Sequence, residues 1–479
     1  DLIWVGRAAT TPTFWDLSTT VNWQTADTNP EVFFNGDNVL FDDTGLTKTL
    51  RLPDGATVDN PNPVLISPAT ITFNNSTGND YTINGDAGDG FTGGTSIVKN
   101  GTGKATIFGF GHNYTGTVTV NSGTLMAGGY EMLGNSSGVT VNDGGQLEIN
   151  GKDLGNMVRH FNFTIAGAGP DGMGALTNNF ARDVNERLGA LNVTLAADAT
   201  VGGNGGRFDL GRSGPYFGAI TGNGFTLTKV GTNMVTARAP ATDITYVVNG
   251  GVLRFENFDS ASGLNPITVN NGGRAEGYGW RVFPNTLQLN AGATLGNGGG
   301  GTQVWTGPVN LSGGGTVNLS AASEVTILSG VISGESNVNF NGNNSLRLIG
   351  SESNTYTGTS TLTNTDPDLV LGKTGGAIAI PGDIYLSATG TRAILSTIED
   401  NQFGPTSVMR WTGVNDSRLE LKGTTQTLAG IDNTGATPGY NCIQHSEFGS
   451  PNPVDGVSDL ILNVAEGNSF IYSGVLRDQ

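Results

Sequence analysis

Cysteine is almost absent: Cys442 is the only one in 479 residues. No intramolecular disulfide is possible, so the fold must be held by packing. Cys442 itself reads as a small core residue, with an intermolecular disulfide as the alternative. Charge is also scarce, at 13% of residues, and it leans acidic, with 23 basic against 41 acidic side chains and a net charge of −18. That balance opposes nucleic-acid binding, since phosphates need Lys and Arg, and it opposes docking on anionic lipid. No apolar run approaches the roughly 18–20 residues of a transmembrane helix. Histidine occurs three times, at His112, His160 and His445. These are far apart, lie in no motif, and are each expected in a turn or at the surface. No HExxH or CxxC occurs, and no zinc-ligand spacing is present. Helical periodicity is nearly missing; the best stretch, residues 183–195, is short and partly alternating.

Glycine fills the gap, with 76 residues, about twice the usual share. The glycines are dispersed with Asn, Thr and Asp between short alternating runs such as 117–120 and 316–319. That arrangement describes turns between strands rather than a flexible linker. A phrase also repeats. Residues 95–125 read TSIVKNGTGKATIFGFGHNYTGTVTVNSGTL, residues 225–253 read FTLTKVGTNMVTARAPATDITYVVNGGVL, and residues 345–371 read SLRLIGSESNTYTGTSTLTNTDPDLVL. Each copy is a strand, a Gly or Asn turn, a second strand bearing Tyr114, Tyr246 or Tyr356, and a third strand. After each copy comes a strand–turn–strand unit, at 136–150, 264–277 and 403–423. Units that recur at this scale stack, because none can bury its apolar face alone. Taking roughly 20 residues per coil as an estimate, coils that stack in register would align the Asn turns as ladders. Val139, Val141, Ile267 and Val269 are expected to point inward.

The phrase resembles the autotransporter-associated β-strand repeat. Matching positions are Lys99, Gly101, Gly103, Asn113, Tyr114, Thr115, Gly116, Gly123, Thr124 and Leu125. The second copy keeps Lys229, Gly231, Tyr246 and Gly251 but loses the Tyr-Thr-Gly turn. The third keeps Asn354, Tyr356, Thr357 and Gly358. The resemblance implies an all-β, right-handed parallel β-helix (a β-solenoid) on the outer surface of a Gram-negative bacterium, with no catalytic residues in the repeat. Residues 1–60 are expected to form an aromatic-rich cap, with Trp4, Trp15, Trp23, Phe33, Phe34, Val39 and Phe41 as its core and sugar stacking as the alternative use of the tryptophans. Residues 61–479 are expected to form the solenoid, in modules of about 61–200, 201–325 and 326–479. The start at Asp1 suits removal of a signal peptide. The stop at Gln479 falls inside a module, so the native chain is expected to continue.

Candidate chemistry is thin, and no catalytic, cofactor-binding or metal residue is assigned. Residues 84–90, Asn-Gly-Asp-Ala-Gly-Asp-Gly, read as an acidic turn, with a weak calcium site as the alternative. Residues 202–211 read the same way. Arg182, Asp183, Glu186 and Arg187 form the densest charge cluster, on a stretch that leaves the repeat. The sequons at Asn113 and Asn192 reflect composition. The functional expectation is a non-enzymatic, extracellular structural or adhesive stalk, fibre or filament subunit that associates with itself. The alternative is a glycan-binding or polysaccharide-degrading β-helix, with surface glycans as partners.

Overall fold

A computed structural model describes residues 1–52, 65–85, 88–109, 111–155, 159–185, 188–212, 217–436, 441–446 and 456–477. The protein is a parallel β-solenoid of about 16 coils in all. It divides into two compact units, Asp1–Tyr246 and Val247–Gln479. Among the described residues the sole helical element is one 3-10 turn, Asp259–Ser262. The helix-like stretch instead feeds a 13-residue strand, Ala190–Gly202.

In the first unit one wall runs coil by coil through Asn38–Phe41, Thr70–Phe73, Ser96–Lys99, Thr117–Val120, Gly138–Val141 and Phe161–Gly167. All these pairings are parallel and in register at Val39, Ile71, Ile97, Val118, Val139 and Phe163. That column points inward, and every member is buried. Alternation explains it: residues two apart share a face, so Thr117 and Thr119 look out while Val118 and Val120 fill the core. The second unit follows the same rule. Ile267, Leu287, Val309 and Ile332 stack on one wall, and Phe283, Trp305 and Leu328 on another. Burying each Leu, Ile or Val contributes about 1.5–3 kcal/mol.

Coil length is less regular than the sequence predicts. Side chains bonded between neighbouring coils are 21 residues apart at Asn100–Asn121–Asn142. The interval widens to 30 at Asn162–Asn192. The corners absorb most of the difference, and the pairing of Phe161–Gly167 with Ala190–Gly202 also shifts register, between Phe161 and Asn162 and between Ile165 and Gly167.

Asn22 and an antiparallel trio of strands close the N-terminal end. Leu2–Trp4 pairs antiparallel with Trp23–Gln24, which pairs antiparallel with Pro30–Glu31. Only Leu2–Trp4 continues in parallel, onto Asn38–Phe41. Trp4, Trp15, Trp23, Phe33 and Phe41 are buried together, with ring centroids 5.1–5.6 Å apart for Trp4–Trp23, Trp15–Phe33 and Trp23–Phe41. Asn22 stitches the loop beneath them, donating to the carbonyls of Thr11 and Phe14 at 2.8 Å. The tryptophans are therefore core, and sugar stacking on them is ruled out by burial. Phe34 departs from the expected core and is exposed.

The repeated phrase has a structural logic at its Tyr-Thr-Gly corner. Tyr114 and Tyr356 enter the core just ahead of the strands Thr117–Val120 and Ser360–Lys373. Thr115 and Thr357 donate their backbone N–H to Gly93 and Gly334 of the preceding coil, at 2.8 and 2.9 Å. Gly116 and Gly358 then press on that coil: a Cβ would fall 2.2 Å from the carbonyl oxygens of Thr95 and Ser336, respectively. Tyr246 is buried too, but it lies inside the strand Thr245–Val248 and is not the equivalent of the other two tyrosines.

Two substitutions separate close approach from ordinary turn preference. Gly116→Ala is expected to destabilise the protein by about 1–3 kcal/mol through overpacking. Gly94→Ala, where a Cβ meets nothing within 4 Å, is expected to change stability by no more than about 0.5 kcal/mol. Urea unfolding of both variants checks this, and equal effects would contradict the stacking argument.

Lys99 and Lys229 put a second constraint inside the coils. Both occupy inward columns, Lys99 between Phe73 and Val120, and Lys229 beside Val201. Their ammonium groups end on turn carbonyls, those of Gly101 and Ser122 for Lys99 and of Val230 and Gly231 for Lys229. Burial disfavours the charge and brings the pKa values down to about 8 and about 7. Unfolded lysines titrate near 10.4. Between about pH 7 and 10 the unfolded chain therefore binds more protons, and stability rises with pH. Burial pushes Tyr114, Tyr246 and Tyr356 upward, which reverses the trend above about pH 10. The urea midpoint is expected to climb to about pH 10 and then fall, with Lys229→Met flattening the climb. A wild-type midpoint that does not rise would show that these amines are solvated.

Candidate functional site

Each residue the sequence marks for chemistry can now be placed. His112 is not at the surface: it is fully buried, against Phe91 and Tyr114 at 5.1 and 6.3 Å between ring centroids. Nδ1 accepts the Phe91 backbone N–H at 3.1 Å, and Nε2 lies 3.3 Å from the Phe108 carbonyl. That pairing places the ring proton on Nε2. Asn354 does the same work two residues before Tyr356, accepting the Ile332 N–H at 2.9 Å. His112 thus stands at the asparagine position of the repeat, while Asn113, matched there from the sequence, is the neighbouring residue. The reason is reach: only a side-chain acceptor two residues before the tyrosine meets the free N–H of the preceding coil. His160 and His445 are half-buried, and no two histidines share a site. Among the described residues no group of three His, Cys, Asp or Glu could hold a metal ion.

Arg182 and Asp183 face different partners. Arg182 pairs with Asp153 at 2.9 Å and lies 5.4 Å from the Tyr130 ring centre, whereas Asp183 accepts the Arg207 N–H. Glu186 and Arg187 lie outside the described residues, as do Asp86 and Ala87 of the acidic turn. Asp89, from the same turn, is buried. In the 202–211 stretch, Asp209 is buried between Arg207 and Arg238, at 2.7 and 3.1 Å. Cys442 is buried, and burial pushes its thiol upward, as expected of an inert core thiol. Ser136 centres a Gly-x-Ser-x-Gly stretch at 134–138, but its side chain is buried and a strand, Gly138–Val141, follows it. A nucleophile elbow instead runs from strand into helix.

The nearest approach to an enzyme-like groove is a depression of about 510 Å³ lined by Asp143, Asp198 and Phe225. The Asp198 carboxylate there accepts the Thr226 N–H at 2.8 Å, which ties it to a turn.

The most distinctive surface is the last described coil. Asp459–Leu462 pairs in parallel with Thr425–Leu428, and Val475–Arg477 with Asn441–Gln444. Leu462 stands above buried Leu428, and Leu476 continues the Leu419–Ile443 column. They are core positions by register, yet they are 45% and 68% exposed. Among the described residues no strand pairs with their outer edges. A depression of about 510 Å³ opens beside them, lined by Leu421, Ile443, Leu460 and Leu476, with His445 and Arg477 at its rim.

The buried histidine gives an acid-sensitivity test. Burial lowers the His112 pKa to about 4. Its stabilising neutral form is fully present above about pH 6.5 and is lost as pH falls toward about 4. The loss is on the order of 3 kcal/mol. His112→Asn, which restores the repeat's own acceptor, is expected to fold and to lose less stability than wild type between these pH values. Identical acid profiles would show that His112 is not the buried neutral group described.

No family model matches this chain, and neither does any curated protein or solved structure.

Proposed function

We propose that this chain is a structural or adhesive β-solenoid of a bacterial outer surface, a stalk or fibre subunit without catalysis. The observation that carries this reading is where its polar side chains are engaged. Asn142 donates to Asn121 and Asn121 to Asn100, at 2.6 and 2.7 Å. Asn270, Asn290 and Ser312 form a second ladder from Asn249, and Asn318, Asn339 and Thr363 a third. These groups bond from coil to coil and so build length. A surface rich in amides and hydroxyls suits life outside the cell, as does a single buried cysteine. The resemblance to the autotransporter-associated repeat points the same way.

Self-association belongs to the proposal. A stack of parallel coils can take up a second copy by strand addition at a face of the stack. If both partners use this face, the contact closes as a dimer; if it meets another surface, the copies propagate as a filament.

Electron microscopy and light scattering at micromolar concentration test this. Wild type is expected to form ordered fibres whose fraction rises with concentration. Dispersed single particles at all concentrations would remove self-assembly and leave a display stalk.

A further inference from the structure

Five of the six tryptophans, Trp4, Trp15, Trp23, Trp305 and Trp411, are almost completely buried, whereas Trp280 is 72% exposed. Trp280 sits at a corner of the second unit, in the Tyr278-Gly279-Trp280 turn between Gly273–Gly277 and Arg281–Phe283. An aromatic side chain that solenoid packing does not need, held out at a corner, calls for an explanation.

The next coil supplies a floor for it. Residues 298–301 of that coil are four consecutive glycines. Asn297 shapes this loop, accepting the Gly299 N–H at 2.8 Å and the Gln303 amide at 2.9 Å. A Cβ on Gly300 would lie 3.1 Å from the Tyr278 ring, and one on Gly301 would lie 2.6 Å from the Trp280 pyrrole. Both rings therefore rest directly on bare backbone. The Arg254 guanidinium lies over Tyr278, 5.2 Å from its centre. Trp280 has no such cover, and most of its surface meets solvent.

The surroundings set the chemistry. Glu276 is clamped between Arg254 and Arg274, at 2.5 Å from each, which offsets one of their two positive charges. Arg281 donates from Nη1 to the Trp280 carbonyl at 2.7 Å, which holds its guanidinium beside the ring. Its Nε is buried without a protein hydrogen-bond partner. Beyond the corner, Val282, Val304 and Ile327 line up in register on the outward side of three successive coils. An exposed ring, an adjoining apolar track and a donor at the rim form one surface.

We propose that the Tyr278–Trp280 corner is a carbohydrate-binding platform for neutral polysaccharide, with the C–H face of a pyranose lying on Trp280 and its hydroxyls meeting Arg281. Charge argues for a neutral ligand. A polyanion would approach a chain of net charge −18. A flat ring that is apolar on its face and hydroxylated at its edge matches an aromatic with donors at the rim. This gives the adhesive reading a ligand class and is independent of end-to-end association.

Affinity gel electrophoresis of the whole chain in hydroxyethyl cellulose, glycol chitin and mannan tests it, with heparin as the polyanion. Retardation by at least one neutral polymer is expected. Trp280→Ala should weaken it at least about tenfold, with Trp280→Phe keeping most of it. Added salt from about 0.05 to 0.5 M should leave it unchanged. Urea midpoints of both variants are expected to match wild type, since the ring is exposed. No retardation by any neutral polymer, equal retardation of Trp280→Ala, or retardation by heparin alone that salt abolishes would each overturn the proposal, and none of these outcomes bears on self-association.

Discussion

Each coil meets the one before it at the spacing of a β-ladder, about 4.8 Å, and at the tightest corners that spacing leaves no room for a Cβ. Gly116 on Thr95 and Gly358 on Ser336 show the constraint directly. The glycine content follows from it. A corner glycine lets the backbone fold against the preceding coil, which keeps the strands in register, and register is what keeps Val118 above Ile97 and below Val139. Loss of contact at a corner is therefore felt on the walls. The same spacing accounts for the Asn ladders, because an amide in one coil reaches its counterpart in the next without a bend in the strand.

Polar groups inside such a stack must find partners within their own coil or the adjoining one. The protein meets this requirement in several chemical forms at equivalent places. His112 and Asn354 accept the same kind of backbone N–H. Lys99 and Lys229 fill apolar columns with their stems and bring a cation to turn carbonyls at the end. These groups specify which coil faces which, while the apolar columns provide the bulk of the stability. They also make that stability depend on pH at both ends of the range, since a buried imidazole and buried amines all resist protonation.

The first unit covers its own N-terminal coil. At the N-terminal end three antiparallel strands and a cluster of five large aromatics cover the first coil, which removes the edge that would otherwise invite pairing. The Trp280 corner is a different kind of surface, small, rigid and rimmed by hydrogen-bonding groups.

The repeats, the glycine share and the period-two alternation of runs such as 117–120 and 138–141 were enough to establish an all-β stacked architecture, because strand alternation and turn chemistry are local properties written in consecutive residues. The aromatic N-terminal segment was legible as a cap for the same reason. What each polar residue does was not legible. His112 looked like an isolated turn residue because its acceptor role depends on a backbone N–H from Phe91, a coil away. The cap tryptophans could have been platforms or core until packing buried them. Trp280 is not distinguishable from the other tryptophans in the sequence, since the backbone its ring rests on, at Gly301, belongs to the following coil. Composition and periodicity determined that the chain would coil and stack. Only the tertiary structure decided which side chains became core, which became ladders and which were left facing water, because those outcomes depend on residues 20–30 positions away that the stacking brings to within hydrogen-bond distance.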